Sequence, residues 1–249
     1  MIVYPNAKIN LGLNVLSKKE DGYHDISSVF YPVKECVDIL EIIKSERFEF
    51  TRSGIEISDG ENLCEKAWKL LDNDFGIGNV KIHLHKQIPI GAGLGGGSAD
   101  ASFTLKYLTE LFDLNLNNKE LEKYALRLGA DCPFFIDNTP KLVEGIGEKM
   151  TSIDLDLSNY EIRLVNPDIH ISTKEAYSGI VPKTPVLSVE KIIELPIIEW
   201  KGKLKNDFEE SIFEKHQQLE GIKDELYKQG SIYSSMSGSG SIVFGIFEK

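Results

Sequence analysis

The sequence predicts an α+β protein built as two lobes, residues 1–155 and 156–249. Three observations point there. Polar and apolar residues alternate with period two at residues 7–15 and again at 80–85, which marks strands. Apolar residues recur at helical spacing between about residues 98 and 128. Strands and helices interleave without the regular alternation that a parallel sheet requires. The 249 residues suffice for one large domain or two smaller ones, and 41% apolar with 27% charged residues is ordinary for a soluble globular chain.

Residues 7–15, Ala-Lys-Ile-Asn-Leu-Gly-Leu-Asn-Val, read as a half-buried strand. Lys8, Asn10 and Asn14 share one face, and Ile9, Leu11, Leu13 and Val15 the other. Further strands are expected at 37–43 and 47–51. Asp59-Gly60-Glu61-Asn62 offers a turn and an N-cap to a helix carrying Leu63, Ala67, Leu70 and Leu71. Val80, Ile82 and Leu84 alternate in a strand, with His83 and His85 expected to face solvent. A glycine-rich run follows. Behind it Ala101, Leu105, Leu108 and Phe112 form one face of a helix starting near Ser98. Asn118 is placed to cap a third helix and Gly129 to end it. In the second half, strands are expected at 160–165, 232–236 and 242–247. A short helix is expected at 172–178, and a helical stretch at 207–229 broken near Glu214. The proline-rich stretch 182–196 reads as a surface connection.

Composition excludes several classes of function. A formal charge of −11 argues against general nucleic-acid binding, which needs clustered Lys and Arg. No apolar run reaches the roughly 18 residues needed to cross a bilayer, and Met1-Ile2-Val3-Tyr4-Pro5-Asn6 lacks the features of a secretory signal. Cys36, Cys64 and Cys132 are odd in number and scattered, which argues for reduced thiols and against a disulfide framework or a zinc site. These features describe a cytoplasmic protein, monomer or homodimer, with neither nucleic acid nor membrane as partner.

The run Pro89-Ile90-Gly91-Ala92-Gly93-Leu94-Gly95-Gly96-Gly97-Ser98 puts five glycines in seven positions immediately before a helix. Backbone without Cβ atoms approaches an anion closely, and the first N–H groups of a helix have no internal partner, so the run reads as a phosphate cradle. It is not a Walker loop, because no Lys follows the glycines. Gly91, Gly93 and Gly96 formally match a dinucleotide fingerprint. That motif needs a second strand ending in an acid about 20 residues on, and Asp113 directly ends the following helix instead. An ordinary glycine turn seldom needs so many glycines, since each costs conformational entropy.

Pro-x-x-x-Gly-Leu-Gly-x-x-Ser ahead of a helix resembles the ATP motif of the GHMP kinase superfamily, which includes galactokinase, homoserine kinase and mevalonate kinase. Ala7-Lys8-Ile9-Asn10-Leu11 resembles the first motif of that family, and Ser237-Gly238-Ser239-Gly240 the third. Asp21-Gly22-Tyr23-His24 and Leu128-Gly129-Ala130-Asp131-Cys132-Pro133 are most similar to the branch whose acceptor is a cytidyl methylerythritol, in non-mevalonate isoprenoid synthesis. The resemblance implies a two-lobed GHMP kinase fold with its site in the cleft between lobes. An N-terminal ATP-binding lobe and a C-terminal substrate-binding lobe are implied with it. Family members usually continue past the last strand with another helix and strand, which implies either a smaller C-terminal lobe here or a sheet edge left open. Kinases for another small alcohol, of the homoserine or mevalonate type, or a non-catalytic nucleotide-binding relative remain alternatives.

The resemblance also implies residue roles. Asp131 would be the general base and Lys8 its partner, keeping the carboxylate ionised and offsetting charge on the phosphoryl group. Pro89, Gly91, Gly93, Leu94, Gly95, Gly96, Gly97 and Ser98 would hold the phosphates of ATP, with Gly238 closing beside them. Asn62 and Lys86 would line the adenine pocket. Ser98 is either an N-cap or a phosphate and Mg²⁺ ligand, while Asp100 is expected to complement the helix dipole. Asn10 would bind the acceptor hydroxyls. Tyr23 and Tyr177 would sandwich the cytosine, whose edge His24 would hydrogen-bond. Read without the resemblance, Asp131 is a helix cap, Lys8 a solvated strand lysine, and the two tyrosines core or surface filling.

Overall fold

A computed structural model of the chain describes residues 1–57 and 60–249. In chain order its elements are β1 (Ile2–Val3), β2 (Asn6–Lys18), β3 (His24–Val37), β4 (Ile39–Lys44), β5 (Glu49–Gly54), α1 (Leu63–Phe75), β6 (Val80–Lys86), α2 (Gly96–Leu111), α3 (Asn118–Leu128) and α4 (Phe134–Asp137). The remainder are β7 (Lys141–Gly145), β8 (Lys149–Ser152), β9 (Tyr160–Val165), α5 (Thr173–Ser178), α6 (Val189–Ile193), α7 (Phe208–Lys215), α8 (Gln217–Lys228), β10 (Tyr233–Met236) and β11 (Val243–Glu248). Contacts gather the chain into two compact units. The first comprises Met1–Lys8, Pro32–Ile90 and Gly95–Thr139, and the second Ile9–Tyr31, Gly91–Leu94 and Pro140–Lys249.

The first unit is a sheet of order β1-β4-β6-β5, with β4 antiparallel and β5 parallel to β6. Alternation along β4 and β6 sends Leu40, Ile42, Ile82 and Leu84 to the core, where they join Leu71, Leu105, Leu108 and Leu121 of the helices. Asn62 caps α1, accepting from the Cys64 N–H, and Glu65 reaches back to complete a capping box; Asp59 of the expected turn lies outside the described residues. The cap of α3 is Asn117, not Asn118. Only Asn117 has a Glu three residues on, Glu120, to close the reciprocal box. Helix α2 begins at Gly96, two residues earlier than expected, so the glycines run into its first turn.

The second unit contains a sheet of order β10-β11-β9, and its core joins Val243 and Phe247 to Ala176, Ile212, Leu219 and Leu226 of α5, α7 and α8. Helices α7 and α8 break at His216, close to the expected position. The strands expected at 160–165, 232–236 and 242–247 form within a residue or so of their expected ends.

Three features depart from expectation. Strand β3, for which the sequence offered no expectation, carries Pro32 past Phe30, the last residue of its ladder with β7. Strands β7 and β8 pair as a hairpin around Ile146-Gly147-Glu148, whose turn is closed when the Glu148 carboxylate accepts the Ile146 N–H at 2.6 Å. In the proline-rich stretch, Ser188 caps the short helix α6 and buries Val189 and Ile192.

Strand β2, expected to be half buried, is buried on both faces. Lys8, Asn10 and Asn14 are only 3%, 2% and 7% exposed. Buried polar groups need partners, and each of these has one. Lys8 meets Asp131, Asn10 meets Ser28, and Asn14 meets Asp207.

Leu105→Ala in the α2 core face is expected to lower stability by about 2–5 kcal/mol, because Leu105 is fully buried. Leu126→Ala, on the exposed side of α3, should stay within about 0.5 kcal/mol. Urea unfolding of the two variants checks this, and equal losses would contradict the core assignment.

Candidate active site

In the first unit, β2 delivers Lys8 to an interior position where its Nζ lies 3.5 Å from Asp131 Oδ2. Asp131 keeps a third of its side chain exposed while the lysine keeps almost none. The turn that holds Asp131 is fixed on both sides. The Gly129 N–H closes α3 on the Ala125 carbonyl at 3.2 Å, and the Cys132 N–H bonds back to Gly129 at 3.1 Å. Burial lowers the pKa of Lys8 below the ordinary lysine value, while the charge and hydrogen bond of Asp131 pull it back up.

The stem of Lys8 runs beneath Gly95, the N-cap of α2. Gly95 has φ +69°, and a Cβ there would sit 3.1 Å from Lys8 Cγ and from Phe135 Cζ. Glycine is therefore required on both conformational and steric grounds. Gly97 differs. Among the described residues a Cβ there would meet only Leu63 Cδ1, at 3.8 Å, so none of them demands a glycine. The N–H groups of Gly96, Gly97 and Ser98 open α2, and the helix ladder begins only with Ala99 bonding Gly95 at 2.9 Å. Gly96 is buried and leaves no room for a Cβ, but three unladdered donors at a helix start, with open space beside exposed Gly97, suit an anion.

Ser98 is half buried, and its carbonyl accepts the Ser102 hydroxyl at 2.8 Å. Beside it, burial pushes the Cys132 thiol up to about 11 against hydrogen bonds from Ser98 and Ser102. All three cysteines are unpaired. Among the described residues no group of three His, Cys, Asp or Glu side chains could hold a metal ion. Pro89 is half buried, whereas Leu94 is 1% exposed and leaves only its backbone for a ligand.

Two residues expected at the adenine have other partners. Asn62 spends its carbonyl oxygen on the cap of α1. Lys86 is enclosed: its Nζ donates to Asp38 and, at 2.8 Å, to Asp100 Oδ2. Its carbonyl accepts the Ile55 N–H at 2.8 Å. The reason is tertiary, since β6 ends beside two carboxylates contributed by the β3–β4 junction and by α2. Burial disfavours the ammonium, but Asp100 and Asp38 outweigh it and the net shift is upward. Burial raises Asp100 to about 7 even though Lys86 opposes it. Asp100 thus joins an ion cluster and does not serve simply as a helix-dipole partner.

In the second unit the three glycine and polar motifs converge on the Ser237 hydroxyl, itself fully buried. It accepts the Asn10 N–H at 3.2 Å and donates to the Gly93 carbonyl at 2.9 Å. Gly93, at φ +82°, leaves no room for a side chain, because a Cβ would lie 2.0 Å from the Ser237 carbonyl oxygen. Gly238 packs against Asn10, with 3.2 Å between its would-be Cβ and Asn10 Oδ1. Asn206 holds that turn through bonds to the Met236 and Gly238 carbonyls, both at 2.8 Å. The amide of Asn10 donates to Ser28 at 2.9 Å, which in turn donates to the Gly12 carbonyl at 2.6 Å. Gly91 is exposed and lies near the His170 ring.

The aromatic residues are arranged differently from the expected sandwich. His24 stacks on Tyr177 with centroids 4.7 Å apart, and Tyr177 sets its edge against Phe208. Tyr23 stands 59% exposed after a turn in which its N–H bonds Asp21. One face of Tyr177 is thus covered by His24. Burial and Lys18 hold the His24 imidazole below its ordinary pKa, favouring the neutral ring.

The family model for the GHMP kinases N terminal domain matches residues 62–138, and that for the GHMP kinases C terminal matches residues 194–249. A 4-diphosphocytidyl-2-C-methyl-D-erythritol kinase from Azobacteroides pseudotrichonymphae is 52% identical over the whole of this chain and 94% of its own length. The enzyme of that name from Parabacteroides distasonis is 51% identical over all of this chain and 92% of its own. The chain belongs to the GHMP kinase family. Members are small-molecule kinases, and so is this one. A crystal structure of 4-(cytidine 5'-diphospho)-2C-methyl-D-erythritol kinase matches this GHMP kinase with TM-score 0.85 and 32% identity, covering 99% of this chain and 90% of that one. Homoserine kinase from Cytophaga hutchinsonii shares the fold, at TM-score 0.71 and 17% identity, over 98% of this chain and 85% of its own.

Within this GHMP kinase, the N-terminal family match spans the glycine loop and Asp131 but not Lys8, Asn10 or Asp38. Asp38 and Ser28 escaped the sequence reading altogether. Each is a single polar residue inside a strand-like stretch, and its partners lie far away in the chain.

The Lys8 shift has a definite sign. The unfolded state binds more protons between the lowered folded pKa and the ordinary lysine value, so stability rises with pH across that window. It is lost as pH falls through the folded value. An NMR titration of Lys8 should show a pKa below that of exposed lysines, and lower still in Asp131→Asn. An ordinary value in both proteins would contradict the burial of the ammonium.

Proposed function

We propose that this GHMP kinase transfers the terminal phosphoryl group of ATP to the 2-hydroxyl of 4-diphosphocytidyl-2-C-methyl-D-erythritol, a step in non-mevalonate supply of isoprenoid precursors. The observation that carries it is the Lys8–Asp131 pair at 3.5 Å, with the lysine stem beneath Gly95, the N-cap of α2. The sequence likeness to enzymes named for that substrate supplies the acceptor.

Phosphoryl transfer asks the protein mainly to position two reactants and neutralise charge. On this reading the N–H groups of Gly96, Gly97 and Ser98 receive the nucleotide's phosphates, where the helix terminus contributes about 0.3–1 kcal/mol. Asp131 Oδ2 takes the proton of the 2-hydroxyl as that oxygen attacks phosphorus. Lys8 orients Asp131 and offsets charge on the transferring group. Asn10 holds the acceptor's hydroxyls, its orientation set by Ser28 and Ser237. His24, Tyr177 and exposed Tyr23 receive the cytosine, the neutral imidazole serving as hydrogen-bond partner to the base edge. Mg²⁺ suits the site as a companion of the phosphates, since it usually takes one or two protein oxygens and fills the rest with phosphate and water. The Ser98 hydroxyl would be its protein ligand. When bound, the ion supplies further charge neutralisation.

A coupled ADP-release assay tests the reading against three acceptors. Turnover with the cytidyl acceptor, and none with homoserine or mevalonate, is expected; the reverse pattern rejects it. Asp131→Ala should cut kcat by about 10²–10⁴ while ATP affinity is kept, and an unchanged kcat would remove Asp131 from the chemistry. Gly97→Ala separates ligand from fold. Its stability should hold or rise by up to about 1 kcal/mol, because the helix gains an alanine, while its KM for ATP rises. Unchanged KM would mean that the phosphates do not rest on α2.

A further inference from the structure

We propose that Asp38 is a positioning residue for nucleotide binding, clamping both ends of the glycine loop from a single carboxylate. This rests on the ATP-dependent transfer proposed above. Asp38 is fully buried in the one-residue gap between β3 and β4. Its Oδ1 accepts the N–H groups of Gln87 and Ile88, at 2.6 and 2.8 Å, on the residues that lead into Pro89. Its other oxygen takes the Lys86 ammonium, which also donates to Asp100 in α2 at 2.8 Å. Entry and exit of the loop therefore hang from one carboxylate–ammonium–carboxylate chain. The backbone of Asp38 adds a third tie, its N–H bonding the Pro5 carbonyl at 2.8 Å, three residues before Lys8.

The exit of the loop lies directly on this cluster. A Cβ on Gly96 would fall 2.8 Å from Lys86 Nζ and 2.8 Å from Ile88 Cγ2. The ammonium and Ile88 thus form the floor on which the first turn of α2 rests, and any change in their height moves the N–H groups of Gly96, Gly97 and Ser98. Well-packed apolar side chains could fill such a volume without loss of stability. Charge–charge bonds do something that packing does not. They fix distance and direction between the strand that precedes the loop and the helix that follows it. A phosphate cradle needs that fixed spacing, since its donors must converge on one anion.

The test uses the full-length protein and two variants. Asp38→Asn keeps the size of the side chain and leaves one neutral, weaker oxygen for Gln87 and Ile88, but turns an amide NH2 on the Lys86 ammonium. The double variant Lys86→Met with Asp100→Leu removes the exit arm and leaves the entry bonds. Calorimetry with a non-hydrolysable ATP analogue and, separately, with the cytidyl acceptor gives two dissociation constants for each protein. Weaker analogue binding by about tenfold or more, with acceptor binding within about twofold of wild type, is expected for both variants. Hydrogen exchange should also show faster exchange of the Gln87 and Ile88 amides in Asp38→Asn. A variant that only melts at lower temperature, with analogue affinity intact, overturns the proposal, as does equal loss of both ligands. If Asp38→Asn does not fold, the double variant decides by the same criteria, and failure of both to fold also overturns it by making the cluster a folding element. Wild type that binds the analogue but phosphorylates no cytidyl acceptor would reject the substrate and leave the clamp to the binding data. Wild type that binds no analogue would reject both.

Discussion

An ammonium group taken almost completely out of water, and answered by a carboxylate that is only partly buried, is the constraint around which the first unit is organised. Burying a lone lysine charge is costly enough that the group ordinarily sheds its proton. Asp131 offsets that cost while keeping a third of its side chain exposed, which is what a group that must reach a ligand requires. The arrangement works only because β2 is buried on both faces and because the Gly129–Cys132 turn presents Asp131 at a fixed height. Each side chain restrains the other, so the geometry of the pair is set from both sides.

The glycine loop shows how close approach is used for two different ends. Gly93 and Gly95 are demanded by the protein itself, one by a carbonyl oxygen and the other by the lysine stem and a phenylalanine ring. Gly97 has no such neighbour, so its bareness is a property turned toward a ligand. In the second unit one hydroxyl, that of Ser237, ties the first, second and third motifs through two hydrogen bonds. Three segments far apart in the chain are thereby kept in register by a single small side chain.

Much of this was legible in the sequence where the signal is local. Alternation located β2 and β6, helical spacing located α1, α2 and α3, and the glycine run located the loop. Motif resemblance named Lys8 and Asp131 before any geometry was known. What stayed hidden depends on partners distant in the chain. The polar face of β2 reads as solvent-facing until Asp131, Ser28 and Asp207 are brought to it. Lys86 reads as a ligand-facing lysine until Asp38, 48 residues away, encloses it. Two adjacent asparagines disguised the cap of α3, which only the later Glu120 decides.

The central claim is that the Lys8–Asp131 pair and the opening amides of α2 serve one reaction. A crystal structure with a non-hydrolysable ATP analogue and the cytidyl acceptor bound together tests it most directly. The account predicts phosphate oxygens within hydrogen-bond distance of the Gly96, Gly97 and Ser98 amides, and the acceptor's 2-hydroxyl within that distance of Asp131 Oδ2. Nucleotide phosphates bound away from α2, or an acceptor hydroxyl out of reach of Asp131, would contradict it.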